Sequence, residues 1–318
     1  MAELRKIPDS ENISIKDAFE ERYRSLLGER YSKFIEYSLC YLRKSIRVNT
    51  LKISVSRVKT RLKDWQLKQV PWCKEGFWIE HIDGRRDVGN LLEHVLGYIY
   101  VQEAASMIPP IVLGPKAGEV VLDMCAAPGS KSTQLAQMMN NQGVLVANDL
   151  TTARISPLSI NLQRCGVSNC VATLMHGNSF KKLENSFDKV LVDAPCSGTG
   201  TIRKSLGTLE MWNPNMIGRL AATQKKLLES GFLCLKSGGV MVYSTCTLEP
   251  EEDEAVVDYL LNKYGNAKLQ SIKMDIKRSD PITRFESKKY SEETNKCLRI
   301  WPQDNDTEGF FVAKIKKC

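Results

Sequence analysis

The spacing of apolar residues changes along the chain, and the change separates two parts with different predicted structures. In the first part Ile15, Phe19, Tyr23 and Leu27 recur at helical intervals, so we predict a helix over residues 15–27 that ends at Gly28. The further elements predicted there are a helix over 31–41, a strand over 45–54, a basic helix over 55–65, and a short strand followed by the start of a helix over 93–110. These elements describe a small α+β module.

After Gly118 the pattern becomes an alternation of apolar runs and helical periods. It predicts strands over residues 119–124, 144–148, 171–175, 189–193, 240–244 and 310–314, and helices over 131–141, 153–165, 217–235 and 251–263. Strands separated by helices are typical of an α/β fold with a doubly wound, mostly parallel sheet. We therefore predict an N-terminal α+β module over residues 1–110 and an α/β domain over residues 111–318, with a loop-rich insertion at 268–296.

Composition agrees with a folded globular protein: 42% of the 318 residues are hydrophobic and 26% are charged. The net charge is +8, and its distribution is uneven. Residues 43–74, the basic segment, contain ten Lys or Arg and one acidic residue, Asp64. With Trp65 and Trp72 nearby, the basic segment is a candidate surface for nucleic-acid phosphates. An ordinary solvated charged face is the alternative.

Ten cysteines are too few for a disulfide scaffold in a chain of this length, and no C-x-x-C pair occurs. We therefore expect reduced thiols and no metal site. The first residues are charged throughout, and no apolar run approaches the roughly 18 residues of a membrane-spanning helix. These features predict a cytoplasmic protein without a membrane partner, and we expect a monomer.

The first motif with a chemical interpretation is DMCAAPGSKS at residues 123–132, between a predicted strand and a predicted helix. Small residues and Gly129 allow a ligand to approach the backbone closely, next to free N–H groups at the helix start. Asp149 ends the next strand, where a carboxylate typically binds the ribose hydroxyls of adenosine. The motif predicts an adenosine cofactor, either NAD or S-adenosylmethionine. The absence of G-x-G-x-x-G makes a dinucleotide the weaker choice.

Two further motifs, VDAPCSGTGT at 192–201 and VYSTCTLEPEEDE at 242–254, place Cys196 and Cys246 at the ends of two strands. Five other cysteines are more simply explained as small buried hydrophobic residues, namely Cys40, Cys165, Cys170, Cys234 and Cys297. A thiolate beside a methyl donor suits methylation of a pyrimidine at C5, because attack on C6 makes C5 nucleophilic. One cysteine would attack, the second would assist release, and a nearby carboxylate would hydrogen-bond the base.

At these motifs the chain resembles the RNA 5-methylcytosine methyltransferases of the NOL1/NOP2/Sun family. The matching segments are LDMCAAPGSK, VLVDAPCSGTG and YSTCTLEPEEDE, supported by YVQEAASMIPP and by the closing IWPQ and EGFFVAKIKK. The resemblance covers most of the chain. It implies a Rossmann-like class I methyltransferase domain, preceded by an RNA-binding module. It also implies Cys246 as nucleophile and Cys196 in product release, with Asp193 and Lys131 in the active site.

The same resemblance implies S-adenosylmethionine as the cofactor. It assigns cofactor contacts to Cys125, Ala126, Ala127, Pro128, Gly129, Ser130, Lys131, Asp149, Arg154, Asn178 and Asp193. One position departs from the family: Asn178 stands where an Asp is usual, so it can accept a hydrogen bond from the adenine amino group but adds no charge. His176, beside it, is interpreted as structural.

The substrate implied by the resemblance is RNA, since DNA cytosine methyltransferases attack through the Pro-Cys cysteine and carry a Glu-Asn-Val motif that this sequence lacks. The compact length is most similar to the archaeal tRNA enzymes of the family, which favours tRNA over rRNA. The target cytosine must leave its stack to reach Cys246. Two alternatives stay open at this point, a catalytically silent RNA-binding factor and an NAD-dependent oxidoreductase.

Overall fold

The computed structural model describes residues 4–318, and its N-terminal part contains a small antiparallel sheet preceded by two helices. The elements are α1 (Asp17–Leu27), α2 (Tyr31–Ser38), β1 (Ser45–Val48), α3 (Val55–Arg61), β2 (Trp65–Gln69), β3 (Gly76–His81), α4 (Leu92–Val95) and β4 (Ile99–Val101). The sheet order is β2-β3-β1-β4, and all three pairings are antiparallel. The predicted α+β character is therefore confirmed.

Several predicted boundaries in this part are wrong, and two of them by four residues or more. The basic helix predicted over 55–65 ends at Arg61, because Trp65 begins β2 and packs into the core of the small sheet with Val58 and Phe77. The strand predicted over 45–54 is limited to Ser45–Val48. Asn49 stops it, since its buried amide donates to the carbonyl oxygens of Gly97 and Cys165 at 2.8 Å each.

The first two helices pack on the C-terminal part of the chain rather than on the small sheet. Phe19 lies edge-on to Trp212 with ring centroids 5.5 Å apart, and Phe34 lies edge-on to Trp301 at 5.6 Å. These rings belong to one buried hydrophobic cluster with Tyr23. Helix α1 is thereby fixed against the region that contains the Thr-Cys motif.

The second part of the chain is built on a large sheet covered by helices. Its elements are α5 (Ile108–Leu113), β5 (Val120–Asp123), α6 (Ser130–Met138), β6 (Val144–Asp149), α7 (Thr152–Cys165), β7 (Cys170–Leu174), β8 (Phe187–Asp193), α8 (Gly207–Met211), α9 (Pro214–Cys234), β9 (Leu235–Thr245), α10 (Glu254–Lys263), β10 (Ala267–Gln270), β11 (Arg284–Phe285), β12 (Lys288–Lys289), β13 (Leu298–Ile300), α11 (Pro302–Asn305) and β14 (Phe310–Lys317).

The large sheet has the order β10-β14-β9-β8-β5-β6-β7, with β13 paired to β14. Strands β9, β8, β5, β6 and β7 are mutually parallel, and β14 joins β9 in the antiparallel sense. The predicted doubly wound, mostly parallel sheet is confirmed. Strands β10 and β13, which the sequence did not indicate, extend its antiparallel edge.

Both faces of the large sheet are buried. Along β8, Val190 and Val192 belong to one hydrophobic cluster, whereas Leu191 belongs to the cluster on the other side. Successive side chains of a strand point to opposite faces, so an apolar run such as this one is expected where helices cover both.

Among residues 4–318, no helix is both long and apolar enough to cross a membrane. Over the same residues, no group of three or more His, Cys, Asp or Glu side chains is arranged to hold a metal ion.

Candidate active site

The motif residues lie at the carboxyl edge of the large sheet, where four parallel strands end side by side. Asp123 ends β5, Asp149 ends β6 and Asp193 ends β8, while Cys246 directly follows β9. In the strand register Asp123 pairs with Leu191, and Asp193 pairs with Ser244. Ligands of open α/β sheets bind at this edge, so the topology brings the separate motifs into one cleft.

The two cysteines of the cleft are neighbours. The Sγ atoms of Cys196 and Cys246 are 3.4 Å apart. The hydrogen bond to Cys246, together with burial and the Glu252 carboxylate, raises the pKa of the Cys196 thiol well above its ordinary value. Cys196 therefore keeps its proton near neutral pH and can donate it in a hydrogen bond to the Cys246 sulfur.

Hydroxyl groups join the two loops that carry the cysteines. Ser197 Oγ lies 2.7 Å from Thr247 Oγ1, and Thr199 Oγ1 lies 3.0 Å from the same atom. Thr199 Oγ1 also accepts a hydrogen bond from Leu248 N at 2.9 Å. These bonds hold the Pro-Cys and Thr-Cys loops in one fixed arrangement.

A close backbone contact adds to this arrangement. Gly200 N donates to Cys246 O at 3.0 Å, and Gly309 N donates to Gly200 O at 2.9 Å. A Cβ atom at Gly200 would lie 2.3 Å from Gly309 O, which no side chain tolerates. Glycine at position 200 is thus required for the Cys196 loop to approach the Cys246 loop.

The buried carboxyl group of Glu252 stabilises the Pro-Cys loop. Glu252 Oε2 accepts hydrogen bonds from Ser197 N at 3.0 Å and from Gln224 Nε2 at 2.7 Å. Burial raises the pKa of Glu252 to about 7. This residue therefore links the Pro-Cys loop to helix α9.

Lys131 and Asp193 form a second pair in the cleft. Lys131 Nζ lies 2.7 Å from Asp193 Oδ2, and Ser244 Oγ donates to Asp193 Oδ1 at 2.7 Å. Burial alone would lower the pKa of Lys131, but the charge and hydrogen bond of Asp193 raise it. Lys131 therefore keeps its positive charge beside the two sulfur atoms, and Ser244 fixes the orientation of the Asp193 carboxylate.

The predicted cofactor loop is anchored to the end of β6. Ala127 N donates to Asp149 Oδ2 at 2.9 Å, while the Arg154 guanidinium binds Asp149 Oδ1 at 2.8 Å and Ala127 O at 2.9 Å. Arg154 thus acts on protein groups and orients Asp149. Gly129 has a φ of 102°, and a Cβ there would lie 3.0 Å from Leu158, so glycine suits this turn into α6.

The other residues predicted to bind the cofactor line the same turn. Ala126 and Ala127 are buried, Cys125 and Ser130 are half-buried, and Pro128 is exposed. Burial raises the pKa of the Cys125 thiol, so this thiol stays protonated and is a poor nucleophile. Cys125 therefore lines the loop without reacting. His176 is exposed and has no role in this loop.

Two buried oxygen atoms test whether the site fits an adenosine cofactor. Asn178 Oδ1 and Asp123 Oδ1 have no hydrogen-bond partner among the described residues. Asp123 Oδ2 accepts from Ser132 Oγ at 2.7 Å, and burial raises the pKa of Asp123 to about 7. Buried acceptors without partners are costly, so they indicate a ligand with donor groups. The adenine amino group, a ribose hydroxyl or the amino group of S-adenosylmethionine supplies such donors.

Sequence reasoning gave no role to Asp123, Glu252 or the Thr199–Thr247 pair. Asp123 ends the first strand of the large sheet in chain order. Because ligands bind at the carboxyl ends of such strands, this position could have identified Asp123 as a site residue. Glu252 lies within the charged run LEPEEDE, which has the appearance of a solvated helix start. No pattern distinguishes its buried carboxyl group from an exposed one.

Comparison with known proteins identifies the family. A family profile described as 16S rRNA methyltransferase RsmB/F matches residues 110–316, and one described as the N-terminal domain of 16S rRNA methyltransferase RsmF matches residues 15–104. This chain belongs to the RsmB/F family. The resemblance predicted from the motifs is thereby confirmed, and the RsmB/F family comprises S-adenosylmethionine-dependent RNA cytosine-C5 methyltransferases.

RsmB/F relatives with two different names match nearly the whole chain. It is 47% identical over 313 residues to the tRNA (cytosine(49)-C(5))-methyltransferase of Pyrococcus abyssi, covering 96% of this chain and 99% of that protein. It is 45% identical over 313 residues to the ribosomal RNA small subunit methyltransferase F of Vibrio vulnificus, covering 96% of this chain but only 65% of that protein.

Solved structures agree with the RsmB/F assignment. A methyltransferase homologue from Pyrococcus horikoshii has a TM-score of 0.86 at 39% identity, covering 98% of this chain and 100% of that chain. NSun6 from the same organism, crystallised with SFG, an analogue of S-adenosylmethionine, has a TM-score of 0.82 at 25% identity, covering 95% and 98%.

Proposed function

We propose that this RsmB/F protein forms 5-methylcytosine in tRNA, with Cys246 as the nucleophile and Cys196 as the group that assists release. The observation that carries the proposal is the 3.4 Å separation of the two sulfur atoms beside the Lys131–Asp193 ion pair. Methylation at C5 of a pyrimidine requires a nucleophile for C6 and a methyl donor beside C5. The two thiols can supply the nucleophile, and the neighbouring loop can bind the adenosine part of the methyl donor.

In the first step the Cys246 thiolate adds to C6 of the flipped cytosine. A sulfur–carbon bond forms, and the electrons of the C5–C6 double bond move so that C5 becomes nucleophilic. Asp193, held by Lys131 and Ser244, accepts a hydrogen bond from the cytosine edge and favours protonation at N3. Bound S-adenosylmethionine supplies an electrophilic methyl group on a positively charged sulfur.

In the second step C5 would take the methyl group that the cofactor supplies. A solvent water molecule then accepts the C5 proton, the C5–C6 double bond re-forms, and the Cys246 thiolate is expelled. Cys196, protonated and 3.4 Å away, donates a hydrogen bond to the departing sulfur and lowers the barrier to release. Asp149, Asn178 and Asp123 hold the adenosine part of the cofactor.

The choice of tRNA over rRNA is supported by the relative that is named for tRNA. The chain is 47% identical over 313 residues to the tRNA methyltransferase of Pyrococcus abyssi and 45% identical over 313 residues to the rRNA methyltransferase F of Vibrio vulnificus. The latter name makes rRNA the second candidate substrate. We assign phosphate contacts to the N-terminal module, with its boundary at residue 110.

The proposed chemistry requires a reducing environment, because a thiol pair at 3.4 Å would form a disulfide under oxidising conditions. We therefore propose that the enzyme acts in the cytoplasm. Its monomeric state stays a prediction.

The proposal is tested by incubating the protein with S-adenosylmethionine and unmodified total tRNA or rRNA, followed by bisulfite sequencing. New unconverted cytosines in tRNA are expected with the wild type and with Cys318→Ser, a control at an exposed cysteine, but not with Cys246→Ser. Modification of rRNA alone would overturn the choice of tRNA. No transfer to either RNA, with cofactor binding intact, would favour the silent RNA-binding factor.

A further inference from the structure

A cavity of about 560 Å³ lies between the N-terminal module and the region that follows the Pro-Cys motif. Five cations line it, from both parts of the chain, and a single acidic residue accompanies them. The charged lining residues are Arg43, Lys44, Arg86, Arg203, Lys204 and Glu103. Such an excess of one charge in a concave surface attracts an anion.

Two of the five cations share one carboxylate, which compensates one of their two charges. Arg203 and Arg43 both bind the Asp306 carboxylate, at 2.7 Å and 2.8 Å. They stabilise the cavity wall and leave Lys44, Arg86 and Lys204 to face its interior. These three come from the start of β1, from the loop after β3 and from the segment after Cys196, so that only the folded chain brings them together.

Of the three remaining cations, Lys204 is paired with a carboxylate at its edge of the cavity, whereas Lys44 and Arg86 have no carboxylate partner among the described residues. The Arg86 guanidinium stacks on the Tyr41 ring, 4.2 Å from its centroid. Lys204 Nζ lies 3.3 Å from the buried Glu308 Oε1, yet the lysine side chain is 67% exposed. Lys44 forms no ion pair among the described residues, and its side chain is exposed.

Electrostatic effects within the cavity agree with an excess of positive charge. The Lys44 side chain is exposed at one side only, and its partial burial, followed by the charges of Arg86 and Lys204, lowers its pKa. Burial and the neighbouring Glu308 raise the pKa of Glu103 to about 8. Glu103 is therefore largely protonated at neutral pH and does not compensate the cations.

The cavity adjoins the two catalytic cysteines through the backbone. Lys204 N donates to Thr201 O at 2.8 Å, and Gly200 N donates to Cys246 O. Glu308, which holds Lys204, precedes Gly309, whose N–H bonds Gly200 O. An anion bound to Lys204 is therefore connected to both cysteine loops.

We propose that Lys44, Arg86 and Lys204 form a binding site for a backbone phosphate of the RNA substrate, next to the nucleotide that enters the cleft. The inference rests on the proposed function. It deepens that function by naming residues that bind the RNA backbone, two of which, Arg86 and Lys204, lie outside the basic segment. A second cavity of about 690 Å³ shares Lys44 and Arg86 and adds Arg5, Lys6 and Lys68. The positive surface thus continues from one cavity into the next, which indicates a polymer rather than a free anion.

The test compares two triple variants in their binding to fluorescently labelled, unmodified tRNA at increasing salt concentrations. Lys44→Ala/Arg86→Ala/Lys204→Ala removes the proposed site, and Lys182→Ala/Lys226→Ala/Lys288→Ala removes three exposed lysines elsewhere. Each lost phosphate contact lowers the slope of log K against log salt by about 0.7–0.9. For the one phosphate of the proposed site we expect a fall of about 0.7–0.9 in the first variant and of less than about 0.3 in the control.

Binding of S-adenosylmethionine, measured by titration, shows that each variant is folded. If the triple variant of the proposed site fails to bind the cofactor, the single variant Lys204→Gln is used in its place. Equal slopes for the two triple variants would overturn the phosphate site. The binding measurement needs no methyl transfer, so it separates a failure of this inference from a failure of the proposed reaction. In an active enzyme we also expect the KM for tRNA to rise about tenfold or more, with kcat changed less than about threefold.

Discussion

The acidic run at residues 249–254 and the basic segment at residues 43–74 carry opposite charges and lie in opposite environments. Four carboxylates of the acidic run, those of Glu249, Glu252, Asp253 and Glu254, are buried. Nine of the ten cations in the basic segment are exposed or half-buried, and Arg47 alone is buried. The two regions show that a charged stretch of sequence either anchors a site or faces a partner, depending on whether the fold supplies counter-charges.

Counter-charges explain the burial of three of these four carboxylates, and Glu252 is held by neutral hydrogen-bond donors instead. Arg22 and Tyr23 of α1 bind Glu249, at 2.8 Å and 2.9 Å. The fully buried Arg299 binds Asp253 at 2.8 Å and Glu254 at 2.6 Å. These contacts fix the chain directly after Cys246, so the acidic run determines the position of the proposed nucleophile.

The largest effect is expected from removing the counter-charge of the acidic run. Arg299→Ala leaves Asp253 and Glu254 buried without a cation, and breaking such a pair costs about 3–5 kcal/mol of unfolding free energy. Denaturant titration measures this loss. An unfolding free energy within about 1 kcal/mol of wild type would show that the acidic run is not held by Arg299.

A smaller effect is expected from the one buried member of the basic segment. Arg47 bridges the small sheet to α6, donating to Gln102 Oε1 and Thr133 Oγ1 at 2.8 Å each and also binding Gln137. Arg47→Ala should lower the unfolding free energy by roughly 2–4 kcal/mol, because buried polar partners are left unpaired. The exposed Lys63→Ala, the matched control, should change it by less than about 0.5 kcal/mol. Similar losses for both variants would contradict the distinction between the two residues.

The smallest effect concerns the pH dependence of stability in the acidic run. The pKa of Glu252 is about 7 in the folded protein against an ordinary value of 4.5, so folding favours its protonated form. Its contribution is complete below pH 4.5 and is lost as the pH rises through 7. Glu252→Gln stays neutral and should lose less thermal stability between pH 5 and pH 8. The difference is at most roughly 3 kcal/mol, and parallel melting-temperature profiles for the two proteins would refute it.

Sequence patterns predicted the parallel strands of the large sheet because strands buried on both faces are continuous apolar runs. The same patterns missed β10 and β13, which are short and flank a polar stretch. Helix α10 begins at Glu254 rather than at the predicted residue 251, since carboxylates typical of a helix start are here buried partners of Arg22 and Arg299.

In the candidate site, too, some residues could be predicted from the sequence and others could not. Residues that directly follow strands, such as Cys246, could be placed in the cleft because topology alone brings strand ends together. Side chains whose positions depend on contacts with residues far away in the sequence could not be placed in this way. Trp72, expected beside a phosphate surface, is buried with its indole N–H donating to Ala104 O at 2.8 Å. Arg86 and Lys204 join the basic surface only through folding.

The identity of the nucleophile is tested most directly with tRNA that contains 5-fluorocytidine. Fluorine at C5 cannot leave as a proton does, so the covalent adduct accumulates after methyl transfer instead of breaking down. Mass spectrometry of the digested adduct identifies the cysteine that carries the nucleotide. We predict the peptide that contains Cys246, and an adduct on Cys196 would contradict the proposed mechanism.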